Sequence, residues 1–381
     1  MKKLLKASLA GVMSLSLVAC GGSDSDASKG SDADKSASDM KVAMITDYGD
    51  ITDQSFNQTT YESAKAWSEK NGVEFNYYKP ASDSDADRES SIEKAIEEGY
   101  NVIVMPGYAF AKSVVDEAGT YPDTKFVALD VSQFDLDSAS GETDWQSDNV
   151  FCAVYQEEIA GYMAGVAAVK LGYKKLGFLG GMAVPAVIRY GYGFVQGANA
   201  AAEEMGVKDL EIKYAYGNQF FGDADITARM DTWYGGGTEL VFACGGAIYT
   251  SAAEAAVKTN GKVIGVDVDQ APTIDGKYGE GLTVTSAMKG LSATVETLLT
   301  AIHDGKWDEY SGKLMNLGLV SENPEENYVQ LPSSTQFGDN FTEDDYKALV
   351  ADIYNGKIKI DNAVDTDMST VAHVEFEGNI K

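Results

Sequence analysis

From residue 40 onward, short apolar runs alternate with stretches whose apolar residues recur every three or four positions. The runs KVAMIT (41–46), FNYYKP (75–80), NVIVMP (101–106), KFVALD (125–130) and NVFCAVY (149–155) predict strands. Residues 57–70, 90–98 and 111–118 between them predict helices. Near-continuous apolar runs of this length suit strands buried on both faces of a parallel sheet. A helix is predicted over 156–170, QEEIAGYMAGVAAVK, where Gly161 and Gly165 would let it lie close against a sheet. The rhythm then restarts with KLGFLGG (175–181), EIKYAYG (211–217), ELVFACGG (239–246), KVIGVDVD (262–269) and LTVTSAMK (282–289). Helices are predicted near 190–205, 222–235 and 248–259.

Two successive series of strand–helix units predict an α/β protein with two doubly wound parallel-sheet lobes. No repeat of sequence is legible beyond this shared rhythm. A helix over 291–303 and a less regular tail to Lys381 follow, and the tail is expected to add strands to both lobes. No long linker separates the halves, so the chain is expected to cross between them more than once. The expected division is 40–155 plus about 290–310 for the first lobe, and 156–289 plus part of 311–381 for the second.

The first twenty residues, MKKLLKASLAGVMSLSLVAC, stand apart from this pattern. Lys2, Lys3 and Lys6 precede a short apolar stretch, Ala7–Ala19, which is the layout of an export signal. Leu17-Val18-Ala19-Cys20 has the form of a lipobox, in which Cys20 becomes the lipidated first residue of the mature chain. The stretch is too short to span a bilayer. Residues 21–39, GGSDSDASKGSDADKSASD, hold almost nothing apolar and are expected to be a flexible tether. The expectation is a domain anchored by lipid to the extracytoplasmic face of the cell membrane.

The net charge of −29 excludes a nucleic-acid polymer as partner, because phosphate binding needs basic patches. Such acidity suits a soluble monomer. Cys152 and Cys244 each lie in an apolar run and are expected to be buried, reduced thiols.

Ligands of open parallel sheets sit outside the carboxyl ends of the strands. The residues expected there are Asp47, Pro106-Gly107, Asp130, Gly180-Gly181, Gly217-Asn218, Gly245-Gly246, Asp267–Asp269 and Lys289. With only His303 and His373 in the chain, histidine metal sites and Ser-His-Asp catalysis have no basis, and no metal or cofactor is expected. There is no GxSxG elbow and no GxxxxGK[ST] phosphate loop. The reading is therefore a binding protein and not an enzyme. Aromatic rings offer stacking faces, carboxylates accept hydrogen bonds from a vicinal diol, and amides read the edge of a base. A nucleoside or a sugar would use these groups, and the residue types alone do not separate the two.

The lipobox together with "DITDQSFNQ", "LGFLGGM", "GVDVDQ" and "TSAMK" resembles the basic membrane protein family, the PnrA-like substrate-binding lipoproteins of ABC transporters. The resemblance covers roughly residues 41–320. It implies the type I periplasmic-binding-protein fold, with two lobes, a hinge of several crossings and the ligand in the cleft. It also implies capture of nucleosides, purine nucleosides foremost, for the permease subunits of an importer; a sugar or furanose-type ligand is the alternative. By the same resemblance Phe56 and Phe220 would sandwich the base, and Asn57 and Asp130 would contact the base edge or the ribose region. Asp267 would accept the ribose hydroxyls with Lys289 as their second partner, and Asp47 would reach a ribose hydroxyl from the other lobe. Gly245 and Gly246 would let backbone approach the ligand. Asp50 and Asp53 are expected to face water or cap the helix. The chain departs from the family's pattern at "GGAIYTS", where Tyr249 would reshape the pocket.

Overall fold

A computed structural model describes residues 39–47 and 49–381 of the chain. The expected leader, the lipidation site Cys20 and all but the last residue of the expected tether lie outside the described residues. The chain forms two parallel sheets. The first has six strands: β1 (Lys41–Ile45), β2 (Glu74–Tyr78), β3 (Val102–Pro106), β4 (Lys125–Leu129), β5 (Val150–Tyr155) and β11 (Leu314–Leu317). Their order is β11-β5-β4-β3-β1-β2. The second has seven: β6 (Lys175–Gly180), β7 (Glu211–Tyr216), β8 (Leu240–Cys244), β9 (Lys262–Asp267), β10 (Thr283–Lys289), β12 (Val329–Gln330) and β13 (Val374–Asn379). Their order is β12-β10-β9-β8-β6-β7-β13, with the short β12 alone running antiparallel. The central strands are buried on both faces, as their apolar runs require.

Without the edge strands from the tail, both sheets share one order, and β1 to β5 correspond to β6 to β10. That correspondence aligns KFVALDVSQ (125–133) with KVIGVDVDQ (262–270), matching Lys125 to Lys262, Asp130 to Asp267, Val131 to Val268 and Gln133 to Gln270. A short repeat of sequence therefore exists. The differing apolar residues around it conceal it until topology supplies the alignment.

The chain passes between the sheets three times: from β5 into a helix at Glu157–Lys170, from β10 into a helix at Leu291–His303, and from β11 to β12. The crossings are tied together by backbone hydrogen bonds, from Gln156 to Leu317 at 2.9 Å, Gly290 to Tyr328 at 2.7 Å, and Tyr328 to Gly318 at 3.0 Å. The 291–303 helix lies in the six-stranded half, where Thr300 accepts from the Trp67 indole at 2.9 Å and Ser292 accepts from Ser63 at 2.6 Å.

One expectation is corrected here. The 157–170 helix does contact β10 and β12, but the faces of Gly161 and Gly165 meet a second helix, Pro185–Met205, and not the sheet. A Cβ on Gly161 would stand 2.1 Å from the Tyr190 carbonyl oxygen, and one on Gly165 would stand 2.1 Å from that of Phe194. Gly193 and Gly197 reciprocate toward Glu158 and Tyr162. Paired small residues at four-residue spacing let two helix backbones approach closely, and here that packing carries Glu157 and Tyr190 to the same place. Cys152 and Cys244 are buried and unpaired, as expected.

Candidate functional site

A cavity of about 650 Å³ opens at the carboxyl ends of both sheets. This is where ligands of such sheets bind, and the size is ordinary for a small molecule. Asp47, Phe56, Asn57, Asp130, Phe220, Gly245, Gly246, Asp267 and Lys289 all line it.

The first wall begins where β1 stops. Asp47 accepts a hydrogen bond from the Gly49 amide at 2.6 Å. Gly107, at φ 130°, stands so close that a Cβ there would lie 3.0 Å from an Asp47 carboxylate oxygen. The acidic loop then turns into α1 (Phe56–Asn71). Its cap is Asp53, whose carboxylate accepts from the amides of Ser55 at 2.9 Å, Asn57 at 3.0 Å and Gln58 at 3.1 Å. Asp50 is exposed and pairs with Lys79 at 3.0 Å. The capped turn sets Phe56 and Asn57 at the mouth, and the Asn57 side-chain oxygen is buried without a partner among the described residues.

The second wall carries the other ring. After β7 the segment Gly217–Phe220 turns through Asn218 at φ 58°. A Cβ on Gly181 would stand 2.5 Å from the Phe220 ring, and one on Gly245, at φ 139°, 2.9 Å from it. These glycines make the space that the ring occupies, a role the sequence did not suggest for Gly245. Phe221 also lines the cavity but is 57% exposed. Tyr249, expected to reshape the pocket, is instead buried in the apolar cluster of Leu179, Met230 and Ile274.

Between the walls is a buried charge cluster. The Lys289 ammonium lies 2.6 Å from Asp130, 3.5 Å from Glu157 and 3.8 Å from Asp267. It also stands 4.5 Å from the centroid of the Phe56 ring, within cation–π range. Glu157 in turn accepts from Arg189 at 2.7 Å, and the Asp267 carboxylate accepts from the Ser55 hydroxyl at 2.5 Å. The resemblance set Lys289 beside Asp267 as second partner of the same hydroxyls; its short contact is with Asp130. Burial works to discharge Lys289, yet the three carboxylates outweigh it and hold the ammonium above its ordinary range. Burial pushes the Asp130 carboxyl up to about 6, against the pull of Lys289. It raises Asp267 too, against Lys289 and Ser55. One oxygen of Asp130 is buried without a hydrogen-bond partner among the described residues. The cluster can accept hydrogen bonds from hydroxyls and donate from an ammonium, beside two aromatic rings.

Ser55, Glu157, Arg189 and Tyr190 were not anticipated. Glu157 follows the carboxyl end of β5, so the strand-end rule would have reached it had that strand been included. For Ser55, a serine at a helix start reads as an ordinary cap, and nothing local distinguishes Arg189 or Tyr190.

Residues 40–363 match the family described as ABC transporter substrate-binding protein PnrA-like. The ABC transporter nucleoside-binding protein BmpA of Lactococcus lactis subsp. cremoris is 26% identical over 325 residues, covering 80% of this chain and 86% of that one. The CD4+ T-cell-stimulating antigen of Listeria innocua is 29% identical over 322 residues, covering 80% and 84%. The crystal structure of an ABC transporter solute-binding protein from Aeropyrum pernix K1 superposes with a TM-score of 0.65 at 20% identity, covering 84% of this chain and 87% of that one. That likeness agrees with two α/β halves around a cleft, and the match across 40–363 makes the chain a member of the PnrA-like family of ABC transporter substrate-binding proteins.

Proposed function

We propose that the chain captures nucleosides, purine nucleosides foremost, on the extracytoplasmic face of the cell membrane and delivers them to the permease of an ABC importer. The observation that carries this reading is one cavity with an aromatic ring from each half, Phe56 and Phe220, beside the Asp130–Lys289–Asp267 cluster. The rings stack on the base, and the Asn57 amide reads its edge. Asp130, Asp267 and Asp47 accept hydrogen bonds from ribose hydroxyls, and Lys289 donates to them. The nucleoside-binding relative from Lactococcus lactis supports the same ligand class. Ligand shifts the two halves toward their closed arrangement, which the permease then meets. Lipid on Cys20 and the 21–39 tether keep a monomer close to that permease.

The test is calorimetry and thermal shift on the purified chain, freed of carried-over ligand by unfolding and refolding. Purine and pyrimidine nucleosides, free bases, ribose and hexoses are the panel. A ligand at about 100 times its Kd adds about 2.7 kcal/mol, a shift of several degrees. Purine nucleosides should bind and hexoses should not. Removal of one stacking ring by Phe56→Ala should cost about 1–3 kcal/mol of binding. Binding of ribose or hexoses alone would overturn the reading in favour of a sugar.

A further inference from the structure

Ser55 stands at the N-cap position of α1 and caps nothing. The amides it would ordinarily serve are taken by Asp53. Its hydroxyl reaches into the other half of the molecule and donates to Asp267 at 2.5 Å, with both side chains buried. Gln54 beside it adopts φ 57°, a left-handed backbone that few non-glycine residues take. That turn aims its carbonyl oxygen at the Gln270 amide, 2.9 Å away, and its side-chain oxygen at the Thr273 hydroxyl, 3.0 Å away. Gln58 holds the Gln54 side chain from below, accepting from it at 2.6 Å. Gln54 and Ser55 belong to the six-stranded half; Asp267, Gln270 and Thr273 belong to the seven-stranded half. Three hydrogen bonds therefore cross the cleft within two residues of Phe56, each between two protein groups.

We propose that Ser55 is a positioning residue for the site and, with Gln54, a latch between the halves. Ser55 fixes the rotation of the Asp267 carboxylate, leaving its other oxygen toward Lys289. The same bond, with the two made by Gln54, favours the closed arrangement before ligand arrives, so that ligand has less of the equilibrium left to shift. A contact made only in the closed arrangement raises its population, and apparent affinity scales with the fraction of molecules in the binding-competent state. Closure and affinity should therefore fall together when the latch is cut. The statement about affinity rests on the nucleoside reading above, and the statement about closure does not.

The experiment is small-angle scattering of the full chain without ligand, with calorimetry using guanosine as the probe. The variants are Ser55→Ala, Ser55→Thr and Thr273→Val. Ser55→Ala and Thr273→Val should each enlarge the unliganded radius of gyration; the first, which removes a hydrogen bond to a carboxylate, should weaken guanosine about tenfold, and the second, which removes one to a neutral amide, about fivefold. Saturating guanosine should return both to the wild-type radius. Ser55→Thr keeps the hydroxyl and should keep both properties. Should Ser55→Ala fail to fold, Thr273→Val carries the test. Unliganded radii and affinities equal to wild type in both deletion variants would overturn the latch. A wild-type chain that ignores guanosine but expands on Ser55→Ala would leave the latch standing and remove the nucleoside function.

Discussion

Asp130 and Asp267 are counterparts in the two halves of the molecule, and a single lysine lies between them. Each follows or ends the fourth strand of its half, and each has a left-handed backbone, at φ 62° and φ 65°. That conformation costs a residue other than glycine roughly 1–2 kcal/mol. Both carboxylates thereby leave the line of the strand, and Lys289 meets them at 2.6 and 3.8 Å. The aligned segments KFVALDVSQ and KVIGVDVDQ show that one local design was used twice.

Removing Lys289 should destabilise the chain far more than an exposed lysine would. Lys289→Met leaves Asp130, Asp267 and Glu157 buried around an uncharged side chain. The expected loss is about 3–5 kcal/mol in urea unfolding at pH 7. Asp130→Asn in the Lys289→Met background should recover part of it, and the cycle of four proteins should give a coupling energy of about 0.5–3 kcal/mol. A cycle that closes without coupling would mean that the 2.6 Å contact contributes nothing in solution.

Phe220 depends on the glycines behind it. Gly245→Ala places a methyl 2.9 Å from the ring, and Gly181→Ala places one 2.5 Å from it. The ring must move, so guanosine binding should fall by about tenfold or more, the equivalent of about 1.4 kcal/mol. Far-ultraviolet circular dichroism should stay at the wild-type level, separating a displaced ring from a lost fold.

Asp53→Ala should cost about 1–2 kcal/mol of stability, because three backbone amides at the start of α1 lose their acceptor. Asp53→Asn, which keeps an acceptor oxygen, should cost much less. Urea unfolding of the two variants beside wild type decides between them.

Glu158 should make the protein less stable as pH rises toward neutrality. Burial first, and then the charge of Glu157, push its carboxyl up to about 7, from 4.5. The folded chain therefore holds a proton that the unfolded chain has released between those two values. Stability falls as pH rises through that window and levels off above it. Glu158→Gln removes the cost of the buried charge, so it should stabilise by about 1–2 kcal/mol at pH 8 and by close to nothing at pH 4.5. Asp130 and Glu117 are raised by burial as well, to about 6 and about 7, so the variant should reduce the slope between pH 5 and 7 without abolishing it. Equal urea midpoints for variant and wild type at pH 8 would count against a charged, buried Glu158.

Much of the cavity's lining was legible in the sequence. The strand-end rule reached Asp47, Asp130, Asp267 and Lys289, because apolar runs of five to seven residues mark where parallel strands stop. The resemblance added Phe56, Asn57 and Phe220, and all of these residues line one cavity. The pairing within the site was not legible. Lys289 is 159 residues from Asp130 and only 22 from Asp267, yet its short contact is with the distant one. Ser55 was not singled out at all, and Gly161 and Gly165, expected to face a sheet, face a helix.

By itself, then, the sequence determined the alternation of strands and helices, the two-sheet architecture and the residues that strand ends bring toward a cleft. Hydrophobic periodicity and turn chemistry are local, so they survive in one dimension. Only the tertiary structure decided which carboxylate takes Lys289, that the Ser55 hydroxyl crosses to Asp267, and that glycines 181 and 245 make room for Phe220. Those outcomes depend on ångström-scale distances between segments far apart in the chain. Burial and close packing set such distances, and neither is a property of any one segment.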